Sequence, residues 1–250
     1  MKLDDFSLVK LGVLFIMIGI VIKNLVFFVI GLIALFYFFK TFYSSKYHKT
    51  SGNDPFSTFT SKANTGEYHV FTQIENLGFK SIFTNVYVPK TDEDMTEVDI
   101  IATHNTGIYV FEIKNYSGWI HGNEFMKMWT QTLNRHTKNK FFNPIRQNYG
   151  HIESLKTYLE INESEAFHSY IVFASKSELK NITKKSSDNI VCLTKENLIK
   201  DILKNHLVNR KEVFSIPELN TIDYLISTKH LQDKSVKDKH VKSIKRKLEK

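Results

Sequence analysis

Between Leu11 and Phe39 nearly every residue is apolar, and Lys23-Asn24 interrupts this 29-residue run near its middle. As one continuous helix it would span about 44 Å, against a hydrocarbon core of roughly 30 Å, and would hold Lys23 at mid-membrane at a cost of about 2.5–3.5 kcal/mol. A hairpin fits better: one helix from about Phe6 to Ile22, a second from about Leu25 to Tyr43, and Lys23-Asn24 in a polar turn on the far side. Lys2 and Lys10 at one end, with Lys40, Lys46 and Lys49 at the other, mark the near side as cytoplasmic by the positive-inside rule. Two alternatives stay open. A single tilted span would put the N-terminus outside, whereas a cleaved signal peptide would have to be cut at Phe42-Tyr43 before Ser44-Ser45, a poor site. With the hairpin or the single span, the remainder of the chain stays in the cytoplasm. The one cysteine, Cys192, suits a reducing compartment and is expected as a buried core thiol.

The formal charge of +8 is unevenly placed. Residues 229–250 hold nine Lys or Arg against three Asp or Glu, a net +6, which leaves +2 for the other 228 residues. This tail reads as a solvated disordered end, with a thin apolar stripe (Val236, Val241, Ile244, Leu248) that would allow contact with anionic lipid or nucleic acid.

Chemistry is concentrated in two apolar runs, 98–103 and 108–114, separated by His104-Asn-Thr-Gly107. Such a pattern predicts a β-hairpin with a four-residue loop, in which Thr103 faces Ile108 and Asp99 faces Glu112. Opposed carboxylates on neighbouring strands repel, and a divalent cation would relieve them. Alternation places Val110, Glu112 and Lys114 on one face, so an ammonium joins the acidic pair. These are the parts needed for Mg²⁺-assisted attack on a phosphodiester. A Glu-Ile-Lys triplet is also what a salt-bridged strand end looks like, but these strands are apolar on both faces, where unpaired charges are rarely placed. No His-Glu-x-x-His or Cys-x-x-Cys spacing is present, which argues against a zinc centre.

With these residues in place, the segment from about Thr65 to Glu160 resembles the nuclease-related domain (NERD) family, a branch of the restriction-endonuclease-like PD-(D/E)xK superfamily. The resemblance rests on Gly66-Glu67 opening a helix, Glu97-Val-Asp99 starting a strand and Glu112-Ile-Lys114-Asn115 ending the next. Gly118-Trp-Ile-His-Gly122 with Trp129 and Gln131 follows, and Asn143-Pro-Ile-Arg-Gln147 opens a second helix. Val98 stands where the superfamily name has Pro. The resemblance implies that Asp99 and Glu112 are metal ligands, that Lys114 is the catalytic lysine, and that Glu67 and Gln147 are accessory. It implies a mixed sheet flanked by helices, Mg²⁺ or Mn²⁺ as cofactor, and DNA as substrate with RNA as a further possibility. On that footing Asp99, Glu112 and the Ile113 carbonyl would share one ion. The rival expectation is a catalytically inactive, membrane-tethered module that binds nucleic acid or protein.

The chain thus divides into a transmembrane segment (1–43), a linker (44–64), an α/β domain (65–228) and the basic tail (229–250). Within the domain, Thr65 to Leu77 is expected as a helix ended by Gly78, and Ile82 to Val88 as a strand. Strand, turn and strand follow over 117–131, and a helix capped by Asn143 runs to about Glu160. Strands over 168–174 and 189–193 and helices over 195–207 and 216–227 complete one sheet covered on both faces. Gln147, one turn into its helix, lies near free N–H groups that suit a phosphate. Trp119 and Trp129 are read as residues that seal the sheet, and His104 and His121 as turn residues.

Overall fold

The computed structural model describes residues 5–21, 25–91, 94–173, 176–183, 190–193 and 196–228. The chain forms two units, Met1–Phe59 and Thr60–Lys250. In the first, α1 (Asp5–Val21) and α2 (Leu25–Ser44) fall within a residue or two of the expected hairpin helices; their Lys23-Asn24 connection lies outside the described residues. The helices pack closely enough that a Cβ on Gly31 would lie 2.7 Å from Ile16 Cγ1 and 3.0 Å from the Gly12 carbonyl. Of the described helices α2 alone is long and apolar enough to cross a membrane. The segment expected as a linker instead holds α3 (Lys46–Ser51) and α4 (Pro55–Thr60). Ser45 caps α3 by accepting from the His48 N–H at 3.1 Å. The rings of Phe38 and Phe42 sit about 6 Å from Phe59, which ties these short helices to α2.

The second unit contains two sheets where one was expected. The larger has the order β1 (Ser81–Pro89), β2 (Met95–His104), β3 (Gly107–Lys114), β7 (Phe167–Phe173), β9 (Ile190–Leu193). Its first three strands are antiparallel, and β3, β7 and β9 run parallel. The smaller is β6 (Lys138–Phe142), β5 (Met128–Thr132), β4 (Gly118–Asn123), β8 (Ser177–Thr183), antiparallel except for β4 with β8. Strands β6 and β8 are absent from the sequence reading, and they are what closes the second sheet.

On β3, Ile108 and Val110 face α6 (Pro144–Leu159) and α8 (Ile216–Ser227), where Ile152, Leu155, Ile222 and Ile226 complete a core. Alternate residues Tyr109 and Phe111 stack on Tyr170 at 5.7 and 5.1 Å. Tyr170 hydrogen-bonds His206 of α7 (Glu196–Asn209). Helix α5 is Lys62–Ile74 rather than Thr65–Leu77, because Ser61 is its N-cap, accepting from the Asn64 N–H. His104 and His121 lie in strands β2 and β4, not in turns. Cys192 pairs with Ile171 in the β7–β9 ladder; the burial expected of its thiol, like the basic tail 229–250, lies outside what is described.

Candidate functional site

The β2–β3 hairpin has the expected register and a tighter turn. His104 pairs with Gly107, so Asn105-Thr106 is a two-residue turn in place of the four-residue loop, and Thr103 pairs with Ile108 as read from the sequence. The ladder runs to Ile100↔Phe111. One step beyond it, the Asp99 carboxylate takes the role of a strand neighbour, with Oδ2 accepting from the Ile113 N–H at 2.7 Å. Asp99 is half-buried, whereas Glu112 is 1% exposed.

Glu112 is held at both oxygens. The Lys114 ammonium ion-pairs with Oε1, and His151 Nε2 meets Oε2 at 3.0 Å. Because an ionised carboxylate only accepts, a neutral His151 carries its proton on Nε2, and Nδ1 then accepts from the Thr96 hydroxyl at 2.8 Å. Lys114 also donates to Gln147 Oε1 at 3.1 Å. Glu67, on α5, is buried, and it reaches this region because Gly66 lets the helix close on β3. A Cβ at Gly66 would lie 3.0 Å from Asn115 Cβ and 3.3 Å from Ile113 Cγ2.

The electrostatics follow from this crowding. Burial pushes the Asp99 carboxyl well above the usual carboxylate range, and the charges of Glu112 and Glu67 push it further, against the opposing pull of Lys114 and the Ile113 N–H. For Glu112, burial acts upward but is outweighed by Lys114 and His151, which hold it below its ordinary value. Lys114 is raised, since Glu112 and Asp99 outweigh the desolvation that alone would lower it.

All five site residues expected from the sequence, Glu67, Asp99, Glu112, Lys114 and Gln147, are therefore brought together at one end of β3. His151 was not anticipated. Its signal was its place four residues after Gln147, hence on the same face of α6. The phosphate reading of the α6 N-terminus is corrected. Asn143 Oδ1 accepts from Ile145 and Arg146 N–H, its carbonyl accepts from Gln147 N–H, and Pro144 has no N–H to offer, so that helix end is already capped. Asn143 Nδ2 in turn donates to the carbonyls of Asn123, Glu124 and Met126. The two tryptophans separate: Trp129 is 1% exposed and seals the core, but Trp119 is 52% exposed and does not.

Among the described residues no group of three or more His, Cys, Asp or Glu is arranged as a metal cage. The arrangement is a buried cluster of carboxylate oxygens with one neutralising ammonium, a balance that a bound cation would complete.

Residues 62–174 match the model of the nuclease-related domain, NERD. An uncharacterized protein of Bacillus anthracis is 32% identical over 192 residues, covering 76% of this chain and 86% of its own length. No solved structure matches significantly. Glu67, Asp99, Glu112, Lys114 and Gln147 all lie within the matched residues, and the chain belongs to the nuclease-related domain family.

Proposed function

We propose that the chain is a membrane-anchored, metal-dependent nuclease of the restriction-endonuclease-like PD-(D/E)xK kind, hydrolysing phosphodiester bonds in DNA. The observation that carries this reading is the convergence of three carboxylates, a lysine and a glutamine at the end of β3, with Asp99 raised by burial and further by its acidic neighbours. Such mutual repulsion is what a cation would relieve. Two carboxylates, Asp99 and Glu112, with the Ile113 carbonyl fit Mg²⁺ or Mn²⁺ better than zinc, because Mg²⁺ keeps several waters and takes only one or two protein carboxylates. Bound there, the ion would supply an activated water and neutralise phosphate charge.

The remaining roles belong to the chain itself. Lys114, drawn toward the scissile phosphate, stabilises the charge that develops on it. Gln147 holds the Lys114 side chain at the site. His151 and Thr96 fix the Glu112 carboxylate from behind, which makes His151 a positioning residue. Glu67 keeps Asp99 poised to accept a cation in place of a proton.

Membrane attachment rests on α2, which leaves Leu25, Val26, Ile33, Phe36 and Tyr37 more than half exposed. An apolar surface of that kind suits lipid. α1 packs beside it and would serve as the second arm of a hairpin, and the lysines flanking the pair support a cytoplasmic catalytic unit. One observation favours the rival, non-catalytic module: residues 62–174 hold ten Lys and Arg against thirteen Asp and Glu, an acidic balance for a phosphate-binding protein.

The test is cleavage of linear, circular and single-stranded DNA, and of RNA, by the full chain in uncharged detergent with Mg²⁺, Mn²⁺ or EDTA. Cleavage that requires metal and disappears in Asp99→Ala and Lys114→Ala is expected. Folded protein that binds these substrates without cutting them under any of the conditions would establish the binding module instead.

A further inference from the structure

The second sheet has one sealed face and one open face. Ile120 and Trp129 point inward onto Ile145, Ile171 and Phe173. The ladder then fixes what points outward: Trp119 pairs with Thr132 and Thr132 with Lys138, Thr130 joins His121 to Lys140, and Met128 pairs with Phe142. Trp119 is 52%, Met128 39% and Phe142 42% exposed, and Lys138 and Lys140 stand in solvent. Aromatic and basic side chains are therefore interleaved across this face. Beside it runs a groove of about 630 Å³ bordered by Trp119, His121, Thr132, Leu133, Arg135 and Lys138. Lys180 lies 5.9 Å from the Trp119 ring centroid and is ion-paired with Glu178, which adds a balanced pair at the rim.

Charge segregates onto this element. The matched domain carries an excess of acid, yet residues 118–142, which run from β4 to β6, hold four basic residues, Lys127, Arg135, Lys138 and Lys140, against one acid, Glu124. β4 begins four residues after Lys114, and β6 leads through Asn143 into the helix that bears Gln147. The segment that carries the open face is thus joined along the chain, at both of its ends, to elements that bear the candidate site.

We propose that this face is a platform for single-stranded nucleic acid, with bases stacking on Trp119 and Phe142 and phosphates meeting Arg135, Lys138 and Lys140. Stacking on exposed rings flanked by Lys and Arg is how sequence-tolerant single-strand binding is built. The assignment deepens the nuclease reading and rests on it: the platform holds a strand whose backbone passes on toward Lys114. An anionic bilayer surface is the other occupant such a face would suit.

The experiment is fluorescence anisotropy of labelled oligothymidylate and oligouridylate with the full chain in uncharged detergent and EDTA, so that binding is read without hydrolysis. Trp119→Ala is expected to weaken binding about five- to a hundredfold, and Trp119→Phe to retain most of it. Lys138→Gln with Lys140→Gln is expected to reduce the slope of log affinity against log salt by about 1.4. Quenching of the exposed Trp119 by bound bases, absent in Trp119→Phe, gives a second readout. Unchanged affinity in these variants would overturn the platform, even if the wild type cleaves DNA. Failure to bind either oligomer, with Trp119- and lysine-dependent association with phosphatidylserine vesicles, would overturn it in favour of the bilayer. Loss of cleavage with this binding intact would instead remove the nuclease reading and leave the platform standing.

Discussion

His151 illustrates how a residue outside the carboxylate and lysine set governs it. It pins one oxygen of Glu112 while Lys114 takes the other, so the carboxylate cannot rotate. His151→Ala is expected to lower Mn²⁺ affinity about ten- to hundredfold, read as free-ion electron paramagnetic resonance during titration. At the other end of β3, His168 donates Nε2–H to the Thr106 carbonyl at 2.8 Å and faces the Arg210 guanidinium through Nδ1. Burial pushes it down to about 4. The native ring therefore stays neutral while the unfolded ring protonates near pH 6.5, so the stability it confers is present above about pH 6.5. That stability is lost as pH falls toward about 4, by up to about 3 kcal/mol. Chemical denaturation followed at Trp129 should show this loss in the wild type and a flatter profile in His168→Gln. Asp99, Glu112 and Lys114 were legible because charges inside apolar strands stand out. His151 was not, since one histidine on an amphipathic helix resembles any other. The two tryptophans could not be told apart without the β4–β5 and β5–β6 registers, which turn Trp119 outward and Trp129 inward.

Among the elements, α6 does the most to assemble the site. Asn143 caps it and simultaneously holds three carbonyls of the 123–126 turn, all while fully buried. Asn143→Ala should cost about 2–3 kcal/mol, the sum of a lost cap and carbonyls left unpaired. Hydrogen exchange in the turn between β4 and β5 should accelerate with it. Helix α5 is placed by contact instead. Gly66→Val would drive side-chain atoms into Asn115 and Ile113 and lift Glu67 from the site, so cleavage should fall further than the thermal midpoint does. Strong periodicity made α6, α8, β1 and β3 readable to within a residue or two. The start of α5 was missed because Ser61-Lys-Ala-Asn64 resembles linker, although Ser61 is a preferred cap. β6 and β8 were missed because Lys138-Asn-Lys-Phe-Phe142 and Ser177-Glu-Leu-Lys-Asn-Ile-Thr183 are largely polar. Their strand state comes from pairing with β5 and β4 and not from local preference.

For the molecule as a whole, the proposed hairpin makes a topological statement. Cysteines placed at Ser7 and at Ser45 should both react with a membrane-impermeant maleimide from the cytoplasmic side only. A single span would divide them between the two sides. The order of the elements has a consequence of a different kind. β4, β5 and β6 leave the chain just after Lys114 and return it at Asn143, so the second sheet is largely a self-contained excursion between the strand and the helix that hold the reactive groups. Substitutions at its outward-facing positions can then accumulate without disturbing the neighbourhood of Glu112, whereas Ile120 and Trp129, packed on Ile145, Ile171 and Phe173, are held fixed. Relatives could thereby diversify in what they grip while inheriting one chemistry, and exchanging this stretch between two of them should transfer preference and leave the reaction in place.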